Sequence, residues 1–197
     1  MDKIGVVTIT YNSENVLRSF LECIYKQTYS NLVLYVIDNA STDLTLPILN
    51  EVNELPIKVI ENSNNLGVAK ANNQGIIQAI EDECHQILLI NNDVEFESNL
   101  IEKLLKVQAK YSCSMVTPKI MYFDQPNVIW YAGSWFKKYK GYLPLHRGQK
   151  ELDVGQFDEI IEVEYAPTCC LLVKKEVFDH IGLMNEKYFV YFDDTDF

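Results

Sequence analysis

Four apolar runs, each followed by a polar turn and then a segment with helical spacing, constrain this chain more than any other feature. Ile4 to Thr10 reads as a strand. After Tyr11-Asn12-Ser13, the residues Val16, Leu17, Phe20, Leu21 and Ile24 recur along one helix face, with Ser13 as the N-cap. Leu32 to Ile37 reads as a second strand. Asp38-Asn39-Ala40-Ser41-Thr42-Asp43 then supplies turn and cap chemistry before a short helix expected from Leu44 to Val52. Ile57 to Ile60 is a third strand, and a polar loop from Asn62 through Gly67 leads into helical spacing over Val68 to Ile80. The fourth run, Ile87-Leu88-Leu89-Ile90, ends in Asn91-Asn92-Asp93, and a helix is expected from Ser98, its cap, to Ala109.

This alternation with short connections predicts an α/β fold, with a parallel sheet covered by helices on both faces. In such sheets ligands bind beyond the carboxyl ends of the strands. Tyr11-Asn12, Asp38-Asn39 and Asn91 to Asp93 all lie at those ends, so three polar strand ends should converge on one crevice. Asp93, at the end of a buried strand, is a carboxylate suited to a metal. A second acidic cluster, Tyr191-Phe192-Asp193-Asp194-Thr195-Asp196-Phe197, is dense enough that part of it should serve a cation, a base or a helix N-terminus. Since the chain stops just after this cluster, it is expected to be truncated.

Beyond Ser114 the rhythm breaks. Val128 to Trp135 and Glu162 to Val173 read as strands, the stretch from Phe136 to Glu159 as a long loop, and Lys175 to Ile181 as a short helix. A loop of that length is where an acceptor could sit.

With 197 residues, one well-buried domain is expected. A net charge of −11 argues against nucleic-acid binding, which needs clustered Lys and Arg. The basic stretch Lys137-Lys138-Tyr139-Lys140, beside Trp135 and Tyr142, reads first as a solvated face, with a phosphate or anionic lipid surface as the alternative. Five cysteines without ligand spacing, and a start without a signal peptide, point to reduced thiols and the cytoplasm. No apolar run reaches the roughly 18 residues of a spanning helix, so membrane contact would be peripheral, at the inner face.

With these elements placed, the chain resembles the family 2 nucleotide-sugar glycosyltransferases of GT-A fold, and within them the rhamnosyltransferase-like branch. The resemblance rests on Val6-Val7-Thr8-Ile9-Thr10-Tyr11-Asn12, Val36-Ile37-Asp38-Asn39-Ala40-Ser41-Thr42-Asp43, Asn65-Leu66-Gly67 with Asn73-Gln74-Gly75-Ile76, Leu89-Ile90-Asn91-Asn92-Asp93, and the terminal acidic segment. It spans essentially the whole chain in order. It implies a Rossmann-like, mostly parallel sheet forming a single GT-A catalytic domain. Residues 1–113 would be the nucleotide-binding half and residues 114–197 an irregular acceptor-side half.

The resemblance also implies roles. Thr10, Tyr11, Asn12, Asp38, Asn39, Gly67, Asn73 and Asn92 would surround the nucleotide, with Asp38 accepting hydrogen bonds from the base and ribose. Asp93, last in the family's DxD-like motif, would bind Mg²⁺ or Mn²⁺ on the diphosphate. Asp194, in the place of the family's Glu-Asp pair, would be the general base. Asp193 replaces the commoner Glu, and Asp193, Asp196 and Trp135 would lie on the acceptor side. The expected donor is a nucleoside-diphosphate sugar, and the expected acceptor a saccharide or lipid-linked hydroxyl.

Two departures stand out. Asn72 occupies a position where many relatives carry Arg, and the DxD-like motif reads Asn91-Asn92-Asp93, which leaves one carboxylate for the metal. A single carboxylate suffices where phosphates supply further oxygens. One base and no protein nucleophile imply inversion, and Asp194 would need acidic neighbours or partial burial to act near neutral pH. The rival readings are a nucleotidyltransferase, disfavoured because no Gly-rich basic loop follows the first strand, and a non-catalytic nucleotide-sugar binding module. A nicotinamide enzyme is disfavoured because GxGxxG is absent.

Overall fold

The computed structural model describes residues 2–137, 141 and 143–197. Strand β1 (Ile4–Thr10) is apolar on both faces and buried along nearly its whole length, as a central strand must be. It pairs in parallel with β2 (Leu32–Asp38) on one side and with β4 (Gln86–Ile90) on the other, while β3 (Ile57–Glu61) pairs in parallel with β2. The helices between them are α1 (Leu17–Tyr25), α2 (Thr45–Asn50) and α3 (Val68–Glu81). The strand order reverses between β1 and β4, where a crevice opens at the carboxyl ends.

After β4 the chain forms α4 (Leu100–Tyr111), a short β5 (Met115–Val116), and two hairpins. The hairpins are β6 (Ile120–Tyr122) with β7 (Gln125–Tyr131), and β8 (Ser134–Lys137) with β9 (Leu143–His146). Strand β10 (Cys170–Lys174) then re-enters the main sheet antiparallel to both β4 and β5, giving the order β3-β2-β1-β4-β10-β5. Helices α5 (Lys175–Ile181) and α6 (Asp193–Asp196) complete the described elements. The sheet is therefore mostly parallel with one reversed strand.

Each face of the sheet carries its own core. Leu17, Phe20, Leu21 and Ile24 of α1, Ile48 and Leu49 of α2, and Ile101 and Leu104 of α4 pack on one face. Ala69, Ala71, Ile76 and Ala79 of α3 and Phe178 of α5 pack on the other. The small residues of α3 let it lie close against the sheet. A Cβ at Gly75 would stand 2.4 Å from Val7 Cγ1 and 2.6 Å from Ile37 Cδ1.

The first half follows the sequence pattern, with two changes at helix starts. Ser13 does not cap α1 through its side chain: its carbonyl accepts from Val16 and Leu17 N–H, while its hydroxyl accepts from Tyr11 N–H and Asn92 Nδ2. Asn99 rather than Ser98 stands at the start of α4, and Ser98 O accepts from Thr28 N–H.

The second half departs further. The strand expected over Val128 to Trp135 is broken at Gly133, whose φ of +110° lies in a region closed to ordinary residues. The stretch read as a loop from Phe136 contains the β8–β9 pairing instead. Lys138, Tyr139, Lys140 and Tyr142 of the basic stretch lie outside the described residues. The strand expected over Glu162 to Val173 shrinks to β10. Ahead of it Pro167 has no N–H to give, and the neighbouring backbone is bonded elsewhere: Glu164 N–H to Ser134 O at 3.0 Å, and Tyr165 O to the Tyr131 hydroxyl at 2.6 Å.

Because α3 has no room over β1 and β2, Gly75→Val should destabilise the domain by about 1–3 kcal/mol despite removing a helical glycine. A lower urea midpoint with unchanged m-value would check this.

Candidate functional site

One side of this sheet edge is built from three loops laced together by side chains. Asp38, at the end of β2, is 1% exposed. Its Oδ1 accepts from the Thr10 hydroxyl at 2.8 Å and the Ser41 hydroxyl at 2.5 Å, and its Oδ2 accepts from Ser41 N–H at 2.9 Å. A carboxylate taken out of water needs such donors. Asn12, at a φ of +52°, gives its N–H to Ser41 Oγ and accepts Thr42 N–H at Oδ1. Ser13 N–H goes to Thr45 Oγ1 and Glu14 N–H to Asp43 Oδ2, so the loop after β1 is fastened to the loop after β2. Tyr11 is the exposed member, with about half its surface open.

Asn39 fastens the third loop. Its Nδ2 donates to Gly67 O, and its Oδ1 accepts from Asn62 Nδ2 at 3.0 Å. Asn62 and Gln74 exchange reciprocal amide hydrogen bonds. On the other flank, Asn92 donates to Ile9 O at 2.7 Å and to Ser13 Oγ at 2.9 Å, which ties the end of β4 to the end of β1. Asp93, next in the chain, is exposed, and among the described residues nothing hydrogen-bonds its carboxylate.

The reversed direction of β10 brings its amino end to this same edge. Asn91 N–H donates to Cys169 O at 3.1 Å. Burial, with the charges of Asp93 and Asp194 adding to it, pushes the Cys169 thiol up to about 12, so one neutral sulfur feels both carboxylates. Asp93 and Asp194, a hundred and one positions apart, thus both lie near enough to Cys169 to act on its thiol.

Asp194 follows two consecutive left-handed residues, Tyr191 (φ +65°) and Phe192 (φ +63°). Each such non-glycine residue costs of order 1 kcal/mol. The turn they make buries Asp193, which is 4% exposed, while Asp194 stays half-buried. Burial first, then the charge of Asp194, raises the Asp193 carboxyl above its ordinary range. Asp196 is exposed. Trp135, on β8, has the Arg147 guanidinium 5.8 Å from its ring, and Arg147 Nε donates to Ala132 O.

Asn73 sits elsewhere than a simple nucleotide wall. It is buried, its Nδ2 donates to Met184 O at 2.9 Å and to Glu186 Oε1 at 3.2 Å, and its Oδ1 accepts from Met184 N–H at 2.9 Å. Both polar atoms of the amide are engaged with the segment leading to α6. Gly67 works beside it: Val68 N–H donates to Phe189 O at 2.6 Å, and a Cβ at Gly67 would stand 2.5 Å from that oxygen. The start of α3 therefore holds the approach to the terminal acids. Tyr165, absent from the sequence reading, donates from its hydroxyl to Asp194 Oδ2 at 2.6 Å.

Among the described residues no group of three or more His, Cys, Asp or Glu side chains is arranged to hold a metal, all five cysteines are free, and no helix is long and apolar enough to cross a membrane. Replacing Asn73 by Ala should leave Met184 N–H and O unpaired and cost about 1–3 kcal/mol. Hydrogen exchange should quicken most over residues 183–192.

Comparison with known proteins fits this arrangement. The chain is 22% identical over 204 residues to the low-salt glycan biosynthesis hexosyltransferase Agl10 of Haloferax volcanii, covering all of this chain and 61% of that protein. It is 24% identical over 194 residues to the dTDP-rhamnosyl transferase RfbF of Shigella flexneri, covering 98% of this chain and 61% of that one. Its fold matches the mannosyltransferase PcManGT of Pyrobaculum calidifontis, solved with GDP-Man and Mn²⁺, at a TM-score of 0.68 and 18% identity, over 98% of this chain and 50% of that one. The chain thus spans between half and about three-fifths of the length of these proteins. The fold is that of the GT-A glycosyltransferases. Residues 5–182 match the family described as "Glycosyl transferase family 2", and the chain belongs to that family.

Proposed function

We propose that this domain transfers a sugar from a nucleoside-diphosphate sugar to a hydroxyl acceptor with inversion, in the synthesis of a cell-surface polysaccharide. What supports the reading is that Asp93, whose carboxylate has no hydrogen bond among the described residues, and Asp194, which Tyr165 orients, both act on Cys169, whose carbonyl is bonded to Asn91 N–H just beyond β4. Thr10, Tyr11, Asn12, Asp38 and Asn39 would shape the nucleoside pocket, with the lone pair left on Asp38 Oδ2 accepting from base or ribose. Gly67, Asn73 and Asn92 would act by holding the loops that form it.

Asp93 fits a divalent cation, Mg²⁺ or Mn²⁺. It is exposed, free of hydrogen-bond donors among the described residues and just beyond a strand end, and a hard cation needs only one or two protein carboxylates when phosphates complete its shell. When bound, such an ion would offset negative charge on the departing diphosphate. Asp194 would take the proton from the acceptor hydroxyl as that oxygen attacks the anomeric carbon opposite the leaving group. Asp193, buried and raised, leaves the half-buried Asp194 as the more accessible of the pair. Trp135 and Asp196 would border the acceptor. A lipid-linked or saccharide acceptor at the inner face of the membrane and a cytoplasmic setting belong to the same reading.

Calorimetric titration of UDP, dTDP and GDP, with Mn²⁺ and then with EDTA, should give metal-dependent binding of one nucleotide. Asp93→Ala should abolish the metal-dependent part with the fold intact, and unchanged affinity in Mn²⁺ would remove Asp93 from the metal site. Asp194→Asn should bind donor as the parent does and lose transfer by roughly 10²–10⁴-fold, the usual scale of a general base. Donor binding without any turnover in the parent would instead favour a binding module.

A further inference from the structure

The half of the chain beyond β5 is built around a group that the proposed reaction has not yet used. Tyr165 is 8% exposed, and its hydroxyl donates to Asp194 Oδ2 at 2.6 Å. Its ring is held from several sides. His146 of β9 stacks on it with centroids 5.8 Å apart and planes 18° apart. Tyr131 of β7 and Phe136 of β8 meet it edge-on at 6.4 and 6.3 Å. Its carbonyl accepts from the Tyr131 hydroxyl at 2.6 Å, and Tyr131 is itself 1% exposed. His146 Nδ1 lies 3.2 Å from Trp130 O, which fixes the stacking ring. Three strands from two hairpins thus converge on one phenol, and among the described residues that phenol makes one polar side-chain contact, to Asp194.

We infer that Tyr165 is the positioning residue for Asp194: its hydroxyl occupies Oδ2 and so presents Oδ1 to the acceptor's proton. Among the described residues Oδ1 otherwise has only a long contact, 3.4 Å, from the Thr195 hydroxyl. Asp194 needs such a guide because the two left-handed residues ahead of it and the short α6 give it little other support. Burial, followed by the bond to Asp194, holds the Tyr165 hydroxyl well above its ordinary range, so it stays a donor whenever the carboxylate is charged. No proton is lost from Tyr165 during turnover; it donates before and after Asp194 is protonated. The inference rests on the base role given to Asp194 under the proposed function, and the test separates the two.

The experiment is a double-mutant cycle with Tyr165→Phe and Asp194→Asn. Turnover is read as nucleoside diphosphate released from UDP-glucose, UDP-N-acetylglucosamine, GDP-mannose or dTDP-rhamnose in Mn²⁺, with water or octyl glucoside as acceptor. Tyr165→Phe keeps the buried ring and should leave the melting temperature and donor KM unchanged while lowering kcat by roughly tenfold to a hundredfold, the scale of a misplaced reacting group. Added to Asp194→Asn it should cost nothing further, because it acts only through that carboxylate; a packing role would cost as much in either background. Full kcat in Tyr165→Phe beside an inactive Asp194→Asn would overturn the inference and keep the base. Full kcat in Asp194→Asn would overturn both. A second measurement needs no turnover: in tyrosine-labelled protein, a Tyr165 hydroxyl proton protected from solvent exchange should be seen and should lose protection in Asp194→Ala, which removes the acceptor. Its absence from the parent would overturn the inference directly.

Discussion

The site depends on where β1 sits. A strand with both faces buried can only be central, and β1 has β2 on one side and β4 on the other, all three running the same way. Their carboxyl ends at Thr10, Asp38 and Ile90 therefore form one edge, and each must turn there into a loop. Consecutive parallel strands would stack outward in order. Placing β4 on the far side of β1 splits the loops into two groups with a gap between them. Thr10 to Asn12, Asp38 and Asn39 stand at or just after the ends of β1 and β2 on one side of that gap, and Asn92 follows β4 on the other. The reversed β10 then adds what a purely parallel sheet could not: its amino end, rather than its carboxyl end, arrives at the same edge, bringing Cys169 and Tyr165 with it.

The loops at this edge are fixed by short polar side chains rather than by ion pairs. Asn12, Ser13, Asp38, Asn39, Ser41, Asn62 and Asn92 bond mainly to backbone groups or to one another. Amides and hydroxyls suit this task, because each satisfies a loop N–H or C=O without bringing a charge that would compete with a diphosphate. Single neutral hydrogen bonds add only about 0.5–1.5 kcal/mol each. Their worth here is geometric, since together they make three loops one rigid rim. The ion pairs of the described residues lie away from this rim. Lys58 with Asp82 and Lys119 with Asp153 are examples, the former joined by the Tyr35 hydroxyl at 2.6 Å.

How far the sequence discloses this structure differs between the halves, for physical reasons. Strands β1, β2 and β4 are buried on both faces and read as unbroken apolar runs, and α1 and α3 show one packed face each, so their order and the converging ends follow from spacing. Strand β7 is exposed for its first three residues and β9 alternates in and out, so neither forms such a run. Gly133 looked like a residue within a strand because only its backbone angle reveals the break. Asp93 and Asp194 were visible as acids at the ends of elements. Tyr165 was not, because its importance comes from β10 running backwards and from rings more than a dozen positions away. The amide of Asn73 shows a different limit: the resemblance placed it near the nucleotide, but nothing in a linear sequence shows that it grips Met184, a hundred and eleven positions on.

The crevice sets an electrostatic problem that its own residues only partly answer. Asp93, Asp194 and Asp196 present carboxylates to solvent near one end of a chain with a net charge of −11, and Asn72 stands where a cation would have helped. Asp193 answers part of it by burial, since a carboxyl raised above its ordinary range carries its charge less readily beside Asp194. Cys169 adds no charge of its own, since burial first and then the charges of Asp93 and Asp194 push its thiol up. Under the proposed function the remainder falls to a divalent cation at Asp93, which fits a carboxylate with no donor among the described residues. A hydrogen-bonded or ion-paired Asp93 would be a weaker ligand, whereas a bare one at a strand end gains most from a cation that arrives with the diphosphate.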